Sequence, residues 1–201
     1  MQFTKTFHEI GKNDADIAGG KGSSLGEMTK AGIPVPDGFV ILADAFNHFL
    51  EKEGLLAEVE SELNKINFED PNSVEETSER LRGLIEKVDV PLEIINEVNN
   101  SYQQLIKATP ATPESTHACD GWLVNKSYND TLITNHQSQI TNSFFVAVRS
   151  SATAEDSSAA SWAGELESYL FTNHQSLINN IKKCWSSLFT PRAIFYRHEK
   201  G

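Results

Sequence analysis

Cysteine is almost missing from this chain. Its two thiols, Cys119 and Cys184, are too few for a disulfide framework in 201 residues. His117 stands close enough to Cys119 to suggest half of a metal pair, but no second pair completes a zinc site. Positive charge is also short: 17 Lys and Arg face 28 Asp and Glu, for a net charge of -11. Nucleic-acid phosphates demand a basic surface, so nonspecific binding to DNA or RNA is excluded, whereas a local basic pocket for one nucleotide is not. No apolar run approaches the length of a membrane span. The opening MQFTKTFHEIGKND has no apolar signal-peptide core. The expectation is a soluble cytoplasmic protein with neither nucleic acid nor membrane as partner. A Walker A loop is absent too. Lys21 is followed by Gly22 instead of Ser or Thr, and Ala15 stands six positions before Lys21, where that motif needs glycine.

What is present is a composition able to form a core, 39% hydrophobic with eleven Phe, and one stretch around which the chain is organised. Residues 144–171 read FFVAVRSSATAEDSSAASWAGELESYLF. The apolar run Phe144–Val148, rich in β-branched and aromatic residues, predicts a buried strand. It delivers Arg149 into a run of small polar residues that ends in a Trp162-Ala163-Gly164 turn, and Glu167–Phe171 predicts a second strand. Small side chains let backbone N–H groups approach an anion, and a guanidinium offers a planar fork of donors, so the layout suits phosphate. The same residues also describe a plain strand, a serine-rich hairpin loop and an arginine in a surface ion pair.

Along the rest of the chain, residues 1–18 predict a short strand and a polar turn. Gly19-Gly20-Lys21-Gly22 then opens a helix carrying Leu25 and Met28 on one face and ending at Gly32. A glycine-rich entry to a helix is a ready anion site, and Lys21 adds a mobile cation. A strand is expected near 38–42 and helices over 43–53 and 55–66. A Ser73/Glu76 capping box should open the next helix, which runs to Val88. Another should start at Pro91, with Leu92, Ile95, Val98, Tyr102, Leu105 and Ile106 buried. Residues 109–143 are polar and rich in Asn, Thr and Ser, and are expected to form a long loop or insertion, with a short hairpin within it. An amphipathic helix over 175–189 buries Leu177, Ile181, Cys184, Trp185 and Leu188, and a last helix begins at Pro191. The strands near 38–42, 144–149 and 167–171 are expected to share one small sheet.

Two motifs in this order resemble a known family. Gly19-Gly20-Lys21-Gly22-Ser23-Ser24-Leu25-Gly26-Glu27-Met28, continuing through Ala31–Phe39, looks like the amino-terminal signature of phosphoenolpyruvate synthases. Val148-Arg149-Ser150-Ser151-Ala152-Thr153-Ala154-Glu155-Asp156, followed by Ser161-Trp162-Ala163-Gly164, looks like the second. Pyruvate phosphate dikinases and rifampicin phosphotransferases share the domain. Cys184–Ala193 and Phe195-Tyr196-Arg197 resemble its closing segment, whereas Leu55–Ser143 match it poorly.

The resemblance implies an α/β (α+β) fold: the first lobe of an ATP-grasp nucleotide-binding domain over residues 1–201, a small mixed sheet covered by helices. It implies that Lys21 and Arg149 contact ATP phosphates and that the loop at Gly164 closes over them. Full-length members pass the β-phosphoryl group of ATP to a histidine and then to pyruvate. Where the synthases carry Gly-Gln-Gln-(Glu/Asp)-Thr, this chain has Gly164-Glu165-Leu166-Glu167-Ser168. Ser168 keeps the hydroxyl, while Glu165 sets a carboxylate against phosphate unless Mg²⁺ bridges them. The second ATP-grasp lobe, with the family's magnesium carboxylates, has no counterpart in this sequence, nor do the phosphohistidine motif and the pyruvate-binding barrel. The chain is therefore expected to be a non-catalytic part of a phosphotransferase. It would bind nucleotide through Lys21, Arg149, Gly164, Glu165 and Ser168, with no catalytic residue of its own and Mg²⁺ ligands mainly elsewhere. The alternatives are the matching part of a rifampicin phosphotransferase or pyruvate phosphate dikinase, and a degenerate module that binds a nucleotide or a protein partner.

Overall fold

A computed structural model describes residues 1–108, 145–151 and 167–200. The expectations for the 109–143 loop, its hairpin, His117 with Cys119, and the segment holding Gly164 and Glu165 lie outside the described residues. Strand β1 (Thr4–Thr6) pairs antiparallel with β2 (Phe39–Ile41), Thr4 opposite Ile41. Between them lie two 3-10 turns, Phe7–Glu9 and Lys12–Asp14, and helix α1 (Ala15–Lys30). Each turn is closed by its own carboxylate: Glu9 accepts the Thr6 amide at 2.8 Å, and Asp14 accepts that of Gly11 at 2.8 Å.

Helices α2 (Ala43–Lys52), α3 (Leu56–Asn64), α4 (Pro71–Lys87) and α5 (Leu92–Ala108) follow. After them come β3 (Val146–Arg149), β4 (Ser168–Thr172), α6 (Leu177–Ser186), a 3-10 turn at Ser187–Phe189 and α7 (Pro191–Lys200). The result is a mixed α/β lobe in which two small antiparallel strand pairs are covered by helices. The single sheet expected from the three later strands is not what forms. β2 pairs with β1, and β3 pairs with β4. The amino-terminal strand, joined to β2 through α1, supplies the partner that β2 was expected to find at the other end of the chain. β3 is also less buried than its composition predicts: Val146 and Val148 are half-buried while Ala147 and Arg149 are exposed, as on a one-sided strand.

The main core gathers the inward stripes of α2, α4, α5 and α6. Phe49, Leu81, Ile85, Ile94, Val98 and Tyr102 are almost wholly buried, and Trp185 lies 5.4 Å from the rings of both Phe46 and Phe49. On α5, Val98 and Tyr102 are buried as expected and Ile95 and Ile106 pack against the core, with two differences at the helix start. Ile94 is inside and Leu92 is 72% exposed, because the helix begins one residue after Pro91 and presents its first residue to solvent. The capping box expected at Ser73 and Glu76 is replaced by Asp70, whose carboxylate accepts the Asn72 amide at 3.0 Å. Pro71 sits at the first helical position and lacks an N–H, which moves the cap to the residue before it. The Ser73 hydroxyl instead accepts the Asn67 amide at 3.0 Å.

α6 is tied to the end of α4. The Lys182 ammonium donates to the Glu86 and Val88 carbonyls, both at 2.9 Å, placing a cation at a helix carboxyl end that has carbonyls to spare. Cys184 is buried, as expected, and burial with the nearby Glu167 charge pushes its thiol up to about 12. At neutral pH it is a packing group, not a nucleophile. Among the described residues no helix is long and apolar enough to cross a membrane.

A smaller core of Ile10, Ala18, Val40 and Leu42 lies between α1 and the first strand pair. That pair is held to α5 by the Glu97 carboxylate and by a 2.8 Å hydrogen bond between the Thr4 and Ser101 hydroxyls. Glu97 accepts the amides of Phe3 and Thr4, both at 2.7 Å, and the Thr4 hydroxyl at 3.0 Å. Phe3 and Thr4 are buried, so removing the acceptor leaves two amides without a partner. Glu97→Ala is expected to destabilise the fold by about 2–4 kcal/mol in urea titration. A loss below about 0.5 kcal/mol would place this contact among ordinary surface interactions.

Candidate phosphate-binding site

Helix α1 is broken at Gly19, whose φ of 71° and ψ of 165° fall in a region that only glycine enters readily. The helix was expected to begin at these glycines. It begins four residues earlier, at Ala15, and restarts after the break. A restarting helix has amides in its first turn with no intrahelical acceptor, and a cap side chain normally takes one of them. Glycine has no side chain to offer. The acceptor comes from far along the chain: the Ser151 hydroxyl accepts the Gly22 amide at 3.0 Å and donates to the Ala18 carbonyl at 2.9 Å. A Cβ on Gly19 would stand 2.3 Å from that hydroxyl oxygen and 2.5 Å from the Ser151 carbonyl oxygen. The backbone conformation and the space available therefore both require glycine at this position.

This contact brings the two motifs together. Lys21 is exposed and lies between the glycines that Ser151 meets. Arg149, also exposed, stands two residues before Ser151. Summing the intervening bonds and the hydrogen bond bounds the Lys21 and Arg149 Cα separation at roughly 15 Å. Both side chains are long enough to meet across such a gap on a single polyphosphate.

The hairpin adds a hydroxyl. Val146 pairs with Thr172 and Val148 with Tyr169, so β4 has one residue more than β3 over this interval. The irregularity places Ser168 opposite Arg149; continued from Val146, the uninterrupted register would place Tyr169 there. Ser168 is exposed, like Arg149. The start of β4 is anchored from behind. The Ser150 amide donates to the Glu167 carbonyl at 3.4 Å, the Glu167 carboxylate receives the Tyr169 hydroxyl, and Arg82 of α4 stands 3.6 Å from its other oxygen. Lys183 of α6 lies 5.6 Å from the Tyr169 ring centre.

Of the five residues predicted for the site, three are described: Arg149 stands opposite Ser168 in the hairpin, and the Ser151 link brings the Lys21 backbone within roughly 15 Å of that of Arg149. Gly164 and Glu165 lie outside the described residues. Reasoning from sequence missed Ser151 as the link and the bulge as the device that sets Ser168. A serine inside a small-residue run gives no sign of a partner some 130 positions away. The open depression of about 400 Å³ lined by Lys12, Ala15, Ser23, Ser24 and Glu27 includes none of the five.

Residues 15–117 and 125–201 match the family described as pyruvate phosphate dikinase, AMP/ATP-binding domain. The chain belongs to this family. Along its whole length it is 37% identical to a probable phosphoenolpyruvate synthase of Methanocaldococcus jannaschii, of which it covers 14%. It is 36% identical, again along its whole length, to a probable phosphoenolpyruvate synthase of Staphylothermus marinus, of which it covers 21%. With a rifampicin phosphotransferase of Bacillus subtilis the identity is 32% over 96% of this chain and 19% of the relative. The chain thus spans between about a seventh and about a fifth of these relatives. The dikinase-family match takes in α1, the β3–β4 hairpin and the closing helices alike.

Two glycines with positive φ separate conformation from crowding. Gly32 has φ 73° and open space within 4 Å of where a methyl group would stand, whereas Gly19 meets Ser151. Gly32→Ala is expected to cost about 1 kcal/mol, and Gly19→Ala about 3 kcal/mol or more, both read by chemical denaturation. Equal costs would show that Ser151 does not press on Gly19.

Proposed function

We propose that this chain is the ATP-phosphate-binding lobe of a phosphotransferase of the phosphoenolpyruvate synthase kind. The observation that carries the reading is the Ser151 link, which brings a lysine-bearing helix start and an arginine-bearing strand end together. Membership of an AMP/ATP-binding family supports it. The donor set suits a polyanion. Lys21 supplies a mobile ammonium, Arg149 a planar fork, Ser168 a hydroxyl beside that fork, and the restarted helix its first-turn amides. These residues hold and orient the phosphates, and ATP when bound supplies the phosphoryl group to be transferred.

Gly164 is proposed to allow close backbone approach over the phosphates. Glu165 is proposed to face them through Mg²⁺. Among the described residues no group of three or more His, Cys, Asp or Glu could hold a metal ion. The ion's ligands are proposed to come mainly from the second ATP-grasp lobe. The proposed partners of this lobe are that second lobe and the phosphohistidine and pyruvate-binding parts of a longer enzyme. Together they would convert ATP, pyruvate and water into phosphoenolpyruvate, AMP and phosphate.

The chain is expected to bind ATP weakly in titration calorimetry, and Arg149→Ala to abolish that binding. Equal affinity in the two proteins would remove Arg149 from the site. Phosphoryl transfer depends on a metal and on charge converging from every side of the phosphate. Incubated with ATP, Mg²⁺ and pyruvate, the purified 201-residue chain is therefore expected to form no phosphoenolpyruvate. Turnover above a heat-denatured control would show that one lobe suffices.

A further inference from the structure

The geometry points to Ser151 as a positioning residue for phosphate: its hydroxyl is the cap that Gly19 cannot provide, and it sets the Gly20–Gly22 turn and Lys21 in register with Arg149. The inference deepens the ATP reading above and rests on it. Three observations converge. The hydroxyl is engaged in both directions, accepting the Gly22 amide at 3.0 Å and donating to the Ala18 carbonyl at 2.9 Å, so it spans the break in α1. Gly19 holds φ 71° and ψ 165°, and no side chain could enter the space that Ser151 occupies. Ser151 is also continuous with Arg149 through Ser150, whose backbone amide donates to the Glu167 carbonyl at 3.4 Å, a bond that does not depend on its side chain.

Two consequences follow for an incoming polyanion. A first-turn amide bonded to Ser151 is not a phosphate donor, so the cap takes the Gly22 amide out of the set that could meet a ligand. The cap also fixes where that turn lies relative to the guanidinium, so the two cations are placed before the ligand arrives. Without the hydroxyl, the break at Gly19 would be free to close or shift. Lys21 and the amides beside it would then have to be ordered by the ligand itself.

The test compares wild type, Ser151→Ala and Ser150→Ala. Amide hydrogen exchange by NMR, without nucleotide, is expected to show the Gly22 amide of Ser151→Ala losing protection by at least about tenfold. The Val98 and Tyr102 amides of α5 should be unchanged, which establishes that the variant is folded. Ser150→Ala, which alters the same strand end without touching α1, should leave Gly22 as in wild type. Calorimetry with ATP and with tripolyphosphate is then expected to give binding about tenfold weaker for Ser151→Ala and unchanged for Ser150→Ala. Retained Gly22 protection, or equal affinity of Ser151→Ala and wild type, overturns the proposal. The same loss in both variants also overturns it, since it would reflect general disturbance of the hairpin. If wild type binds neither ligand while Gly22 still loses protection, the ATP reading fails and the phosphate role falls with it, leaving Ser151 as a cap alone.

Discussion

The structure depends most on a contact between a serine hydroxyl and a glycine that has no side chain to keep it away. Ser151 and Gly19 are separated by more than a hundred residues, among them the four helices α2 to α5. The first strand pair meets α1 at a small apolar cluster through Val40 and sets Phe39 and Ile41 against the main core, on which the β3–β4 hairpin packs through Val146 and Val148. Ser151 is where the hairpin meets α1 by hydrogen bonding. Glycine enters the conformation at Gly19 without the steric strain another residue would meet, and the two Ser151 hydrogen bonds add about 1 kcal/mol each to holding the break. Packing on both sides of the break adds to what those bonds hold. Gly26 shows how tight that packing is: a Cβ there would stand 2.4 Å from the Ile10 carbonyl oxygen. Several glycines of the first motif thus serve close approach of chain segments, apart from the proposed anion-binding turn.

Helices governed by their own periodicity were legible in the sequence. α2 and α6 keep close to the expected bounds, and Gly32 and Gly54 both take positive φ where a helix was expected to stop. What was not legible depends on distant partners. α1 continues backwards through Gly19 and Gly20, which a local reading treats as a boundary, because Ser151 caps its restart. Glu97 reads as one more carboxylate on a solvated helix, yet it holds β1 through acceptors and donors more than ninety positions apart. β2 has no local feature that distinguishes β1 from β3 as its neighbour. For the candidate site the residue types were legible, since Lys21, Arg149 and Ser168 announce donors. Their assembly was not, because it is set by a serine and a bulge that carry no chemical signature of their own.

The acidic balance of the chain sharpens what those cations mean. Much of the basic inventory is committed to structure. Lys52 meets Glu93 at 2.8 Å, and Glu93, bonded first to His48 and then to Lys52, falls to about 2. Lys65 and Arg80 share Glu62, at 2.6 and 2.8 Å. Lys182 caps α4, and Arg197 donates to the Leu188 carbonyl at 2.6 Å from a largely buried position. In a protein of net charge -11, an anion is repelled from most of the surface and has few places to settle. Among the described residues, Lys21 and Arg149 are both exposed at the ends that Ser151 joins, which is where the proposed phosphate site lies.

The bulge in the hairpin shows why the arrangement is not generic. Strand side chains alternate between faces, so Arg149 is exposed because Val148 packs inward, and the apolar pattern of β3 fixes that outcome. The pattern of β3 does not decide what stands opposite Arg149. An uninterrupted register would set the Tyr169 ring there, whereas the bulge advances β4 by one and sets Ser168 instead. Tyr169 pairs with Val148 on the half-buried face, where its hydroxyl meets Glu167 and Lys183 covers its ring. One irregular residue thus gives the tyrosine a supporting role behind the strand and leaves a small hydroxyl beside the guanidinium.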